Sequence, residues 1–174
     1  MADEGRVPFA TMVQINIIDA KTSDSIRLIG ENGLTVSAMR NDHPPVVDSY
    51  ALRFNAGGKS VTFSGDTRYL PSLAGFAKNS DVLVHEAMLA KGLDHVLAKT
   101  KTGDDRLKNH LLAAHCFAEQ AGQIAAAANV GHLVLNHLIP PERDICNDAD
   151  WQAETSRSFD GRCSVGRDGM AIEF

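Results

Sequence analysis

The sequence lacks several features that would settle its class at once. No stretch approaches the roughly 20 consecutive apolar residues that a membrane-spanning helix needs. Met1–Ala10 has neither the basic start nor the apolar centre of a secretory signal. Cysteine is scarce: Cys116, Cys146 and Cys163 are odd in number and scattered, which excludes a readable disulfide framework and leads us to expect reduced thiols in a cytoplasm. Basic charge is not in excess. A net charge of −5 speaks against a surface dedicated to polyanions, although a local patch or a metal site can still bind phosphate. There is no repeat and no low-complexity tract. What remains is an ordinary soluble composition, 44% hydrophobic and 22% charged over 174 residues, enough for one domain, 1–174, with its own core.

The first third reads as β. Met12–Ile18, Ser25–Ile29, Leu34–Met39 and Tyr50–Phe54 are short runs rich in β-branched or alternating apolar residues. Turn signals at 22–24, 30–33 and 56–59 separate them. Asn41-Asp42-His43-Pro44-Pro45 is expected to be a loop, because its two prolines remove donors and restrict the backbone. Ser60–Phe63 and Asp81–Val84 are further strands, ending at Ser64-Gly65-Asp66-Thr67 and at His85-Glu86. Lys91–Asn109 is polar and turn-rich and reads as a mobile surface loop. Phe117–Ala128 is the strongest helix, with Phe117, Ala121, Ile124 and Ala128 on one stripe, stopped at 129–131. Leu133–Leu135 is a buried strand ending at Asn136-His137. A short helix over Asp148–Ser158 and a closing hairpin of Cys163–Val165 with Met170–Ile172 complete the reading. Strands followed by strand–helix–strand units predict an α/β protein with helices covering a sheet.

The chemistry gathers at strand ends, where loops of sheet enzymes carry their reacting groups: His43, Asp66, His85-Glu86 and His137, with His115 ahead of the strong helix. Each alone has an ordinary alternative. His43 beside two prolines fits a surface residue, and Gly65-Asp66-Thr67 fits an Asx turn. His137 fits a satisfied core histidine, and His115 with Glu119 fits a helix-surface pair.

In combination they resemble a known family. Ser64-Gly65-Asp66-Thr67 closing an apolar strand is similar to the S/G-D-T element of metallo-β-lactamase-fold hydrolases. Asp81-Val82-Leu83-Val84-His85-Glu86-Ala87 resembles the D-x-L-x-H-E-A-T element of ribonuclease Z, and Leu133-Val134-Leu135-Asn136-His137 resembles its L-x-L-T/N-H strand. His43 stands 23 positions before Asp66, and His115 stands 22 before His137, where the ribonuclease Z and arylsulfatase-like branch has corresponding histidines. The segment 165–170 looks like the branch's closing hairpin. The resemblance, which runs from about residue 10 to the end, implies half of an αββα sandwich: a mixed β-sheet with helices on one face, the carboxy-terminal portion of such a domain.

It also implies a two-metal hydrolase of phosphoric or related esters. In such a site two Zn2+ ions, or Mn2+ or Fe2+, lie about 3.5–4 Å apart and activate a water. Asp66 is implied as the bridging ligand, His43 as a ligand of the first metal and His137 of the second. Glu86 and His115 are implied as an acid–base pair, the carboxylate orienting the imidazole, with His85 packing behind them. His115-Cys116-Phe117 replaces H-S-T, losing a hydroxyl that could cap the following helix. Met88 replaces the last residue of H-E-A-T. Ile139-Pro140-Pro141 follows His137, as in arylsulfatase and phosphodiesterase-like relatives, which points away from transfer RNA and toward small-molecule or nucleotide esters.

The family's H-x-H-x-D-H signature is absent, since no two of the seven histidines stand two apart. Each metal is left with one histidine and a shared aspartate, below the three or four protein ligands of ordinary zinc sites, so weak metal binding is expected of this chain. Half a sandwich also exposes an apolar sheet face, which a missing half or a second copy would cover. The rival reading is a non-catalytic remnant or self-associating interaction module that retains the fold. His110 and His132 are expected at the surface or at a strand end, His95 in the mobile loop, and Cys116 in the core.

Overall fold

A computed structural model describes residues 11–13, 15, 17, 25–99 and 105–174. Among the described residues seven strands form one sheet in the order in which they occur in the chain: β1 (Ile26–Glu31), β2 (Leu34–Arg40), β3 (Tyr50–Ala56), β4 (Lys59–Phe63), β5 (Val82–Met88), β6 (His132–Ile139) and β7 (Arg162–Val165). β1 to β4 form an antiparallel meander, and β4 to β7 run parallel. The switch follows from the connections. Two-residue turns join β1 to β2 and β3 to β4 and a loop joins β2 to β3, whereas helices join the last four strands, and parallel strands require such crossovers. They are α1 (Leu73–Phe76), α2 (Ala90–Lys99), α3 (Arg106–Ala114), α4 (Ala118–Ala128) and α5 (Asp148–Thr155).

Alternation along the strands makes the core one-sided. Leu83 and Ala87 of β5 and Leu133 and Leu135 of β6 are fully buried with Ala118, Ala121, Ile124, Ala125 and Ala128 of α4, and Trp151 of α5 joins them. The small stripe of α4 lets the helices close together. A Cβ on Gly122 would lie 2.5 Å from Ser158 Oγ and 2.8 Å from the Thr155 carbonyl. The cap of α4 falls at Phe117, which has no hydroxyl. Its backbone N–H is instead taken by Gln120 Oε1 at 3.0 Å, and Asn129 ends the helix in the left-handed region at φ 52°. The opposite face of the sheet is an open groove of about 820 Å³ over Val61, Phe63 and Val84, with Met170 and Phe174 of the tail along it.

Three expectations need revision. The Lys91–Asn109 loop is two helices, α2 and α3, with 100–104 outside the described residues. Their charges hide a helical stripe. Leu107, Leu111 and Ala114 are spaced for one face of α3, and Gly92 lets α2 lie directly on Pro140 and Cys146. His95 accordingly sits in α2. The closing hairpin does not form: β7 pairs parallel with β6, because α5 carries the chain across the helix face before it re-enters the sheet. Met170–Ile172 forms no strand; Met170 and Ile172 line the groove on the open face instead. His132 begins β6 as anticipated but is buried, its Nε2 2.9 Å from Ser164 Oγ. The strand expected over Met12–Ile18 includes Gln14, Asn16 and Ile18, which lie outside the described residues.

Two predictions follow from this packing. Gly122→Ala overpacks the α4–α5 seam and should cost about 1–3 kcal/mol of unfolding free energy in urea titrations. Burial, joined by the charge of Arg162, holds the His132 pKa below the ordinary imidazole value. Its contribution to stability is therefore complete above the unfolded-state pKa of about 6.5 and is lost as pH falls below it. The urea midpoint of His132→Gln should drop less between pH 7.5 and 5.5 than that of the unmodified chain.

Candidate active site

The groups implied at the strand ends converge at one end of the sheet. Asp66 follows β4 in a loop that only glycine permits. Gly65 has φ 62°, and a Cβ there would stand 2.7 Å from the Tyr50 carbonyl and 2.9 Å from Asn41 Nδ2. The loop before β3 is tied to this one. Asn41 Nδ2 donates to the carbonyls of Ser64 (2.7 Å) and Asp66 (3.2 Å), Arg68 N–H donates to the Asp42 carbonyl (2.9 Å), and Asp42 N–H donates to Thr67 Oγ1 (3.2 Å). His43 is thereby fixed relative to Asp66. His137 enters from β6, and its own φ of 41° is unusual for a side chain of that size. That backbone turn accompanies a register shift between β5 and β6 just after Glu86, and it brings His137 Nε2 to 3.3 Å from Asp66 Oδ2.

Behind this pair lies Glu86, a carboxylate only 1% exposed at the inner end of β5. Thr67 N–H donates to its Oε1 at 2.7 Å, and His115 Nδ1 stands 3.1 Å from the same oxygen. Burial draws the His115 pKa down, but the hydrogen bond and charge of Glu86, with the charge of Asp66, outweigh it and hold the imidazole above its ordinary value. The His115 and His137 rings stack at 5.4 Å and 11°. His85 is fully buried, with Nδ1 2.7 Å from the Glu86 carbonyl, and burial keeps its pKa low. It therefore packs behind the site as a neutral ring.

All five implied residues thus meet, but not in a single ligand shell. Potential ligand atoms of Glu86, His115 and His137 lie within 4.8 Å of one another, and those of His43, His110 and His115 do likewise. The donor set fits a divalent cation: imidazoles and a carboxylate, with His43 Nε2 and Glu86 Oε2 buried and without a hydrogen-bond partner. His110 was expected at the surface. It is half-buried and edge-on to His43 at 5.7 Å and to His115 at 5.8 Å. No sequence pattern pointed to it, because residues five apart on a continuous helix diverge by about 140°.

Comparison with known proteins places this architecture. The family described as the beta-lactamase superfamily domain matches residues 2–138. Ribonuclease Z of Mycobacterium tuberculosis is 30% identical over 145 residues, covering 82% of this chain and 49% of that protein. Ribonuclease Z of Mycobacterium sp. (strain KMS) is 30% identical over 142 residues, covering 82% and 47%. The chain thus spans about half the length of these relatives. Among solved structures, the metallo-β-lactamase-fold protein YhfI from Bacillus subtilis superposes with TM-score 0.62 at 24% identity, over 85% of this chain and 52% of its own. Human tRNase Z, short form, does so with TM-score 0.56 at 18% identity, over 87% and 47%. With the mixed seven-stranded sheet and helices described above, these matches show that the chain belongs to the beta-lactamase superfamily and is a ribonuclease Z-like member with the metallo-β-lactamase fold.

Proposed function

We propose that this chain is a metal-dependent hydrolase domain acting on phosphoric or related esters of small molecules or nucleotides. His43, Asp66 and His137 would hold the metal, Zn2+ in the first instance. The observation that carries this reading is the buried Glu86–His115 pair set directly beside the Asp66–His137 pair. One structural ion pair is common, but two such pairs in one strand-end cluster set metal-ligating and proton-donating groups side by side. A bound divalent cation would lower the pKa of a water and offset charge building on the ester oxygens.

The chain's own residues handle the proton. Glu86 fixes the His115 ring through Nδ1, so Nε2 is the nitrogen left to face a substrate. Raised basicity favours the protonated form of His115, and loss of the Nε2 proton to a leaving alkoxide would return it to the neutral ring, still held by Glu86. Asp66 adds negative charge that favours the protonated state. The relatives are named for ribonuclease activity. The net charge of −5 and the Pro-Pro sequence after His137 support a smaller ester over transfer RNA. With few ligands per metal, turnover by this chain alone should be far below that of a relative that carries the H-x-H-x-D-H ligands.

Metal-loaded protein is expected to cleave a chromogenic phosphodiester slowly, and His115→Ala to lower that rate by about 10²–10⁴-fold. In Glu86→Gln the His115 titration midpoint, followed by NMR, should fall. A His115→Ala variant as active as its parent would remove the acid from this scheme.

A second reading rests on the open sheet face, where Phe63 is 40% exposed and Ile29 46%. Self-association through that face would cover apolar surface that monomers rarely leave open. Light scattering across a concentration series should then show a dimer that Phe63→Glu dissociates; a monomer at every concentration removes this reading.

A further inference from the structure

We propose that His43, His110 and His115 form a cation site of three imidazoles, with His110 as the residue that completes it. The three rings are mutually edge-on. His43 and His115 are 5.1 Å apart at 77°, His43 and His110 5.7 Å at 86°, and His110 and His115 5.8 Å at 87°. A nitrogen of each lies within 4.8 Å of a nitrogen of the others. Three imidazoles packed only for burial would stack on apolar neighbours or satisfy their nitrogens. Here His43 Nε2 is buried and has no hydrogen-bond partner. An orphaned buried nitrogen is costly, and a cation at the centre of the three rings removes the cost. A three-nitrogen donor set with room for a fourth ligand suits Zn2+, Co2+ or Cu2+ over the oxygen-preferring Mg2+ and Ca2+.

The scaffold explains why these rings meet. On an unbroken helix His110 and His115 would diverge by about 140°. α3 instead ends at Ala114, and His115 turns to φ −120°, ψ 160° while its N–H still donates to the Leu111 carbonyl. That extended residue swings the second ring back over the first. His43 arrives from the loop before β3, locked by Asn41 and by the Asp42–Thr67 contacts. Glu86 holds His115 through Nδ1, which orients the ring as a carboxylate orients many metal-ligating histidines. His110 comes from α3 and faces the other two rings. It supplies the third imidazole of a site that needs no aspartate. The site stands whether or not the chain is a hydrolase. Since His115 Nε2 serves either this cation or a proton, filling the site and acid catalysis by His115 exclude one another.

The test is a Co2+ titration of the metal-free chain followed by its visible absorption, with His110→Asn and Asp66→Ala in parallel. A tetrahedral-type Co2+ band is expected in the parent and in Asp66→Ala, with affinity at least about tenfold weaker in His110→Asn. No band in the parent, or equal affinity in His110→Asn, overturns the proposal. A band lost in Asp66→Ala but kept in His110→Asn also overturns it, and would place the cation on the Asp66–His137 side that the hydrolase reading uses. Should His110→Asn fail to fold, long-range 1H–15N spectra of the unmodified chain with Zn2+ decide. The His43, His110 and His115 ring nitrogens should shift together; a response of His43 and His137 without His110 is the contrary result.

Discussion

A carboxylate placed at the buried end of a strand has to be met by donors, and this site is organised around Glu86. At 1% exposure an ionised carboxylate without partners would cost several kcal/mol. Its Oε1 draws in two groups from opposite sides. Thr67 N–H comes from the loop after β4, and His115 Nδ1 comes from the end of α3. Meeting Glu86 therefore fixes the Asp66 loop and the His115 ring at once. The Asp66 loop in turn holds the His43 loop through Asn41 and Thr67. His137 closes the cluster against Asp66 and stacks on His115. One buried charge thus ties four separate chain segments together.

The fold makes that convergence available. A meander of four antiparallel strands gives way to three parallel ones, so β4, β5 and β6 point the same way and release Asp66, Glu86 and His137 at the same end. The packing is asymmetric. One face carries the alanine-rich α4 and Trp151, while the other presents Val61, Phe63 and Val84 in an open groove along which the tail lies. Glycines allow close approaches at Gly65 beside the site and at Gly122 in the helix seam.

Some of the site was legible without coordinates because its signals are local. Gly65-Asp66-Thr67, His85-Glu86 and Asn136-His137 each follow an apolar run that stops at a reactive residue, and that juxtaposition marks a strand end. His115 before α4 was visible for the same reason. The 91–109 segment misled because its periodic positions, Leu107, Leu111 and Ala114 among them, are diluted by lysines and aspartates that face solvent. α2 docks on β6, Pro140 and Cys146, and α3 packs on α2, which composition does not report. The expected hairpin does not form because α5 returns the chain to the sheet with β7 parallel to β6, and the tail that follows lines the open face.

The sequence by itself determined the strand ends, the strong helix and the α/β class, because alternation, turn chemistry and helix stops act over a few residues; five residues of the cluster came from its resemblance to the family. Only the tertiary structure decided which of those residues face one another. It paired Asp66 with His137 and Glu86 with His115, and it brought in His110. That last placement depends on where α3 ends and how His115 turns, a backbone change of one residue whose effect on ring direction no linear spacing encodes.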